Sequence, residues 1–212
     1  IELINSIIND NLFFEYDMSR HLIELLENNG ARIAQIYIPI DLKLDENLII
    51  DDLYTTCYSI ALIQSGAAAI GYFEDDEMLD HKVIKTYMVR KKQGKSQLTH
   101  LNTKGKSRAG SRIRLTNSIQ FFEDINERLQ EHFEEYDIDR VAISCSKTLL
   151  PFLYDSKIKP PFLKTDSRLH KIPIHIPTPN YELLTKTHQY LINGHIHFEE
   201  KHEAFIKELL WH

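Results

Sequence analysis

The sequence predicts an α/β domain built on a mixed sheet. Three observations carry that reading: a β-hairpin signal over residues 67–89, a capped amphipathic helix beginning at Asn117, and a buried strand over 140–146 directly after that helix. At 212 residues the chain is long enough for one well-buried core with extensions. Hydrophobic residues at 42%, charged residues at 26% and a mean hydropathy of −0.33 exclude wholesale disorder and a fibrous protein. No apolar run approaches the roughly 18 residues of a membrane span, and the first residues lack the basic flank and cleavage site of a secretory signal. Two cysteines, Cys57 and Cys145, sit in apolar stretches and suit a reducing compartment.

Element by element, Leu22, Ile23, Leu25 and Leu26 share a helical face and Gly30 stands where a C-cap belongs, which predicts a helix over 19–29. Residues 31–38 alternate around Ile33, Ile36 and Ile38 and read as a strand. Residues 58–63 and 67–73 are β-rich apolar runs parted by Ser65-Gly66, and Glu74-Asp75-Asp76-Glu77 is a polar turn before β-branched residues resume at 82–89. Asn117 with Gln120 forms a capping pair for a helix with Phe122, Ile125, Leu129 and Phe133 on one side, running to about Tyr136. Residues 148–154 read as a short helix, 172–176 as an edge strand bounded by Pro173 and Pro177, and 181–192 as a helix. The expected layout is an N-terminal segment, 1–50, belonging to the same domain, a core over 51–156, and a C-terminal strand and helix extension over 157–212.

Charge is segregated along this chain. The net value of −6 averages a segment from His81 to Asn117 that carries eleven Lys or Arg and no acid, against a remainder at −17. Between residues 91 and 112 the large apolar side chains are Leu98 and Leu101, and three glycines are present, so a long mobile loop is expected. Held at both ends by core elements and opposite in sign to the body of the protein, such a loop suits a polyanion, and phosphate contact suits it better than base readout. No zinc-finger, helix-turn-helix or RNP pattern accompanies it.

Competing chemistry is weaker. Gly94-Lys95-Ser96 ends like a P-loop, but Val89 stands where the first glycine of that motif is required and no helix follows at once. His188, His195, His197, His202 and Glu199 offer donors without an established metal spacing, and a solvated C-terminal tail explains them; no metal and no cofactor is expected. Asp51-Asp52 and Asp75-Asp76 are adjacent pairs, unsuited to paired acid–base work on a strand. No Gly-x-Ser-x-Gly element is present.

The run Arg90-Lys91-Lys92-Gln93-Gly94-Lys95-Ser96-Gln97, followed by Ser107-Arg108-Ala109-Gly110-Ser111-Arg112-Ile113-Arg114, resembles the Vms-like release factor family, relatives of the catalytic middle domain of the eukaryotic class-one release factor. The resemblance covers about 55–155 and implies an RNase H-like α/β fold with a mixed sheet, a mobile basic loop over 91–114 and a C-terminal helical extension. It further implies that Gln97 is the catalytic glutamine, Gly94 the hinge glycine, and Ser96, with Lys95, the residues preceding the glutamine. Ser96 replaces the glycine that release factors place before the glutamine, and Lys95 adds a charge where the Vms-like branch often has glycine. The expected RNA contacts are Arg90, Lys91, Lys92, Lys95, Lys104, Lys106, Arg108, Arg112 and Arg114. The implied activity is hydrolysis of peptidyl-tRNA on stalled ribosomal large subunits in the cytoplasm, with Gln97 orienting water. Cleavage of the tRNA near its 3′ end and non-catalytic RNA or ribosome binding remain the alternatives. The expected partners are the large subunit and peptidyl-tRNA, with neither membrane nor DNA; protein partners stay open.

Overall fold

The computed structural model describes residues 2–10, 12–45, 47–50, 55–74, 76–86 and 106–210, with side chains at all of these except 2, 9 and 106–115. Two sheets organise it. The larger is a five-stranded mixed sheet of β4 (Tyr58–Gln64), β5 (Ala67–Glu74), β6 (Glu77–Lys85), β7 (Arg140–Cys145) and β8 (Leu169–Lys171), in the order β6-β5-β4-β7-β8. β4, β5 and β6 form an antiparallel meander, whereas β4–β7 and β7–β8 are parallel pairs. This is the mixed sheet the sequence predicts, and the expected hairpin, the 140–146 strand and the short helix, here α3 (Leu150–Asp155), are all in place.

Helices cover both faces of that sheet. Ala61, Ile63, Ala68, Ile70 and Tyr72 pack under α2 (Lys106–Glu135) through Phe121, Phe122, Ile125 and Leu129, with Leu153 of α3 beside them. Tyr58, Ile60, Leu62, Ala69 and Phe73 face the other way, onto Leu184 of α4 (Tyr181–Leu191) and Ile172 and Ile176. A strand covered on both faces reads as a continuous apolar run, which is why residues 58–63 show no alternation.

The smaller sheet is antiparallel and contains β1 (Phe13–Asp17), β2 (Leu22–Leu26), β3 (Arg32–Tyr37) and β9 (His195–Phe198). Its core is closed by α1 (Glu2–Asn9) and α5 (Glu203–Leu210), the latter following a short 3₁₀ turn at Glu200–His202. Sequence-distant ends of the chain thus build one sheet.

Three expectations are corrected here. Residues 22–26 form a strand, not a helix: β1 and β3 pair with it on both sides, and Gly30, at φ 83°, serves the β2–β3 turn instead of a helix end. The helix expected at Asn117 begins eleven residues earlier, at Lys106; Lys, Arg, Ala and Leu favour continuation and Gly110 opposes it most. Gln120 accordingly bonds Asp124 one turn on, at 2.7 Å, inside the helix. The edge strand expected at 172–176 is instead β8 at Leu169–Lys171, with Ile172 and Ile176 entering the core beyond it. No helix among the described residues is long and apolar enough to cross a membrane.

Asn126 fastens α2 to its neighbours. It is fully buried, and its side-chain amide donates to Leu153 O at 2.8 Å and Ile158 O at 2.7 Å, holding α3 and the following turn. Asn126→Ala leaves both carbonyls without that donor and is expected to cost about 2–3 kcal/mol. The denaturant midpoint and the hydrogen-exchange protection of α3 check this; an unchanged midpoint refutes it.

Candidate nucleic-acid interface

The basic segment grows from one particular edge of the larger sheet. Register pairs Gln64 with Ala67, Ala67 with Lys85 and Ile63 with Cys145, so β4, β6 and β7 all end at that edge. Thr86 N–H donates to Gly66 O at 2.9 Å and pins the chain where it leaves β6. In α/β sheets the carboxyl ends of parallel strands are where loops gather and ligands bind.

The sequence-predicted site divides at residue 105. Arg90, Lys91, Lys92, Gly94, Lys95, Ser96, Gln97 and Lys104 lie outside the described residues. Lys106, Arg108, Arg112 and Arg114 lie on α2, so the helix, and not the expected loop over 91–114, bears them. The C-terminal half of α2 is bound to the sheet, with His132 beside Ser59 near the start of β4. From that anchor the helix runs back toward the carboxyl edge; its first fifteen residues, which precede Phe121, correspond to about 22 Å of helical rise. A charged helical arm joined to the basic segment therefore starts from this edge.

What holds that arm is a polar network between α2 and the sheet. Ser59 Oγ donates to Gly71 O at 3.2 Å and lies 3.2 Å from His132 Nδ1, while His132 Nε2 is 3.4 Å from Asp80 Oδ2. Arg128 bonds Asp80 and, at 2.7 Å, Glu131. Serine, histidine and aspartate in that sequence invite comparison with a hydrolytic triad, yet Ser59 and His132 are fully buried and beyond the reach of any substrate. Burial, reinforced by the Arg128 guanidinium, drives the His132 pKa down to about 4, so the ring is neutral at physiological pH. The network is a tether for α2. No pattern in the sequence announces it, since Ser59, Asp80 and His132 lie on three different elements.

A second polar cluster joins the two sheets. Buried Arg140, at the start of β7, donates to Ile40 O and faces His21 Nε2 at 3.0 Å. His21 Nδ1 is 2.8 Å from the Tyr16 hydroxyl, and the His21 and His170 rings meet edge-on at 5.7 Å. Burial is the main cause that lowers the pKa of both rings, with Arg140 acting in the same direction; His170 falls to about 4.

The histidines weighed as metal donors are dispersed. His188 stacks on Phe73 at 4.3 Å, with its Nδ1 3.1 Å from the Tyr58 hydroxyl, whereas His195 and His197 belong to β9 and not to a solvated tail. Among the described residues no three His, Cys, Asp or Glu side chains are close enough to hold an ion. Neither Cys57 nor Cys145 is in a disulfide, and burial pushes the Cys145 pKa up to about 12, which keeps it protonated.

No curated protein matches the chain. A solved structure described as the Vms1 mitochondrial localization core is similar at a TM-score of 0.49 and 14% identity, over 93% of this chain and 83% of that one. The family described as the Bacteroidetes VLRF1 release factor matches residues 58–199, two thirds of the chain, spanning the five-stranded sheet, the basic segment and α2 through α4. The chain belongs to the Bacteroidetes VLRF1 release factor family.

Proposed function

We propose that this protein is a ribosome-associated peptidyl-tRNA hydrolase that frees nascent chains from obstructed large subunits in the cytoplasm. The observation that carries the reading is the eleven-cation segment containing Gln97, emerging at the carboxyl edge of the sheet in a chain of a release factor family. The strand order β6-β5-β4-β7-β8, an antiparallel meander followed by two parallel strands, supports reading the fold as RNase H-like.

The chemistry asks little of the protein. Water attacks the carbonyl carbon of the ester joining peptide to tRNA ribose, the ester C–O bond breaks, and the departing ribose oxygen takes up a proton as the peptide leaves as its acid. A neutral amide is a poor base, so Gln97 acts by accepting a hydrogen bond from the water and by offering N–H groups to the developing oxyanion. Gly94, Lys95 and Ser96 directly precede Gln97 and complete the motif with it. Arg90, Lys91, Lys92, Lys95, Lys104, Lys106, Arg108, Arg112 and Arg114 neutralise RNA phosphates and position the loop. The charges of α2 support a polyanionic partner: its first turn holds no acid, and cations there oppose the helix dipole until phosphate neutralises them.

The test is a release assay on large subunits carrying a labelled nascent chain on tRNA, resolving peptidyl-tRNA, free peptide and tRNA fragments. Gln97→Ala is expected to lower release at least about 100-fold, as loss of an oxyanion donor does, without weakening subunit binding. Undiminished release by Gln97→Ala refutes the role of the glutamine. Peptide that retains a 3′ tRNA fragment would make the protein a nuclease instead.

A further inference from the structure

At the same carboxyl edge, the turn after β7 leads into α3, whose third residue is Phe152. Phe152 is 58% exposed, although one face of its ring stacks on buried Phe122 of α2 at 5.8 Å and 19°. Ile119, one turn before Phe122 on α2, is 51% exposed. The ring is held firmly from behind: Leu153 is fully buried, and Asn126 ties its carbonyl to α2. Exposed Lys147 lies in the turn that precedes α3.

A scattered surface hydrophobe needs no explanation, but this one packs on α2, the helix whose N-terminal half carries Lys106, Arg108, Arg112 and Arg114. Arg114 precedes Phe122 by eight residues, about 12 Å of helical rise, so one extended strand spans both. Single-stranded nucleic acids are bound by this combination, cations along the backbone and an aromatic face for a base. We infer that Phe152, backed by Phe122, is a stacking platform for an unpaired base of an RNA whose backbone follows the cation-bearing N-terminal half of α2. The inference rests on the RNA-directed reading above. It adds a contact that carries no charge and discriminates unpaired bases from duplex.

Fluorescence anisotropy on the full chain tests it, with a short labelled oligoadenylate and an abasic strand of the same length as probes. Wild type is expected to bind oligoadenylate more tightly than the abasic strand. Phe152→Ala and Phe152→Leu should both weaken oligoadenylate binding about tenfold and leave abasic binding and the thermal midpoint unchanged. Phe152→Leu binding as tightly as wild type would show an apolar contact without stacking and overturn the platform. So would Phe152→Ala binding oligoadenylate normally while losing affinity for the large subunit, which would assign this face to a protein. Wild type binding neither strand defeats the RNA-directed reading itself, an outcome distinct from both.

Discussion

Lowering the pH from 7.5 to 5 is expected to destabilise this protein by about 4 kcal/mol or more, well before most carboxylates titrate. His132 and His170 have folded pKa values of about 4 against an ordinary 6.5, and His21 is lowered in the same direction. A histidine whose folded pKa is depressed keeps its full stabilising contribution above 6.5. As pH falls below that value the unfolded chain takes up a proton that the native ring refuses, and stability drops until the folded pKa is reached. At pH 5 this amounts to about 2 kcal/mol for each of His132 and His170. Asp41, whose carboxyl is raised by burial, works in the opposite direction at lower pH and offsets a part. Glu131 and Asp166, held below the usual carboxylate range by Arg128 and Arg168, contribute acid lability only further down. Urea midpoints at pH 7.5, 6 and 5 measure the slope, and His132→Gln and His170→Gln should each flatten it. A level profile between 7.5 and 5 would contradict the neutral, buried state of these rings.

Substituting Gly71 is expected to be the most damaging single change in the larger sheet. A Cβ placed there would stand 2.9 Å from Phe73 Cε2, 3.0 Å from Leu184 Cδ2 and 3.2 Å from Phe73 Cζ. Neither neighbour has room to yield. Phe73 is fully buried and in ring contact with both Tyr58, at 5.5 Å, and His188, at 4.3 Å, which themselves meet at 6.1 Å, while Leu184 is fully buried on the inner face of α4. Gly71 O also accepts the Ser59 hydroxyl, so a backbone shift here disturbs the tether of α2 on the opposite face. Gly71→Ala should cost about 2–3 kcal/mol, a fall of roughly 5–10 °C in the thermal midpoint, and Gly71→Val more. Adding Leu184→Val to Gly71→Ala should recover part of the loss, because it withdraws one of the clashing methyls. An alanine variant as stable as the parent would show that the aromatic stack relaxes freely.

What the sequence by itself determined is the middle of the molecule and its charge. The runs at 58–63 and 67–73 are apolar, β-rich and separated by the three residues Gln64-Ser65-Gly66, a local pattern that suits a hairpin buried on both sides. Segregation of eleven cations into 37 residues is likewise visible without coordinates, and the proposed RNA-directed region rests on it. Only tertiary structure decided the rest. Leu22, Ile23, Leu25 and Leu26 satisfy a helical stripe over so short a span, and pairing with β1 and β3 makes the segment a strand. The first turns of α2 carry no apolar periodicity to mark a boundary, so the helical state of Lys106, Arg108, Arg112 and Arg114 emerges from the elongation of a helix anchored farther on. The bond between Ser59 and His132, the meeting of His21 with Arg140 and the seating of β9 against β3 join residues far apart in the chain. Contacts of that kind depend on chain closure and shared burial, which no local window of sequence encodes.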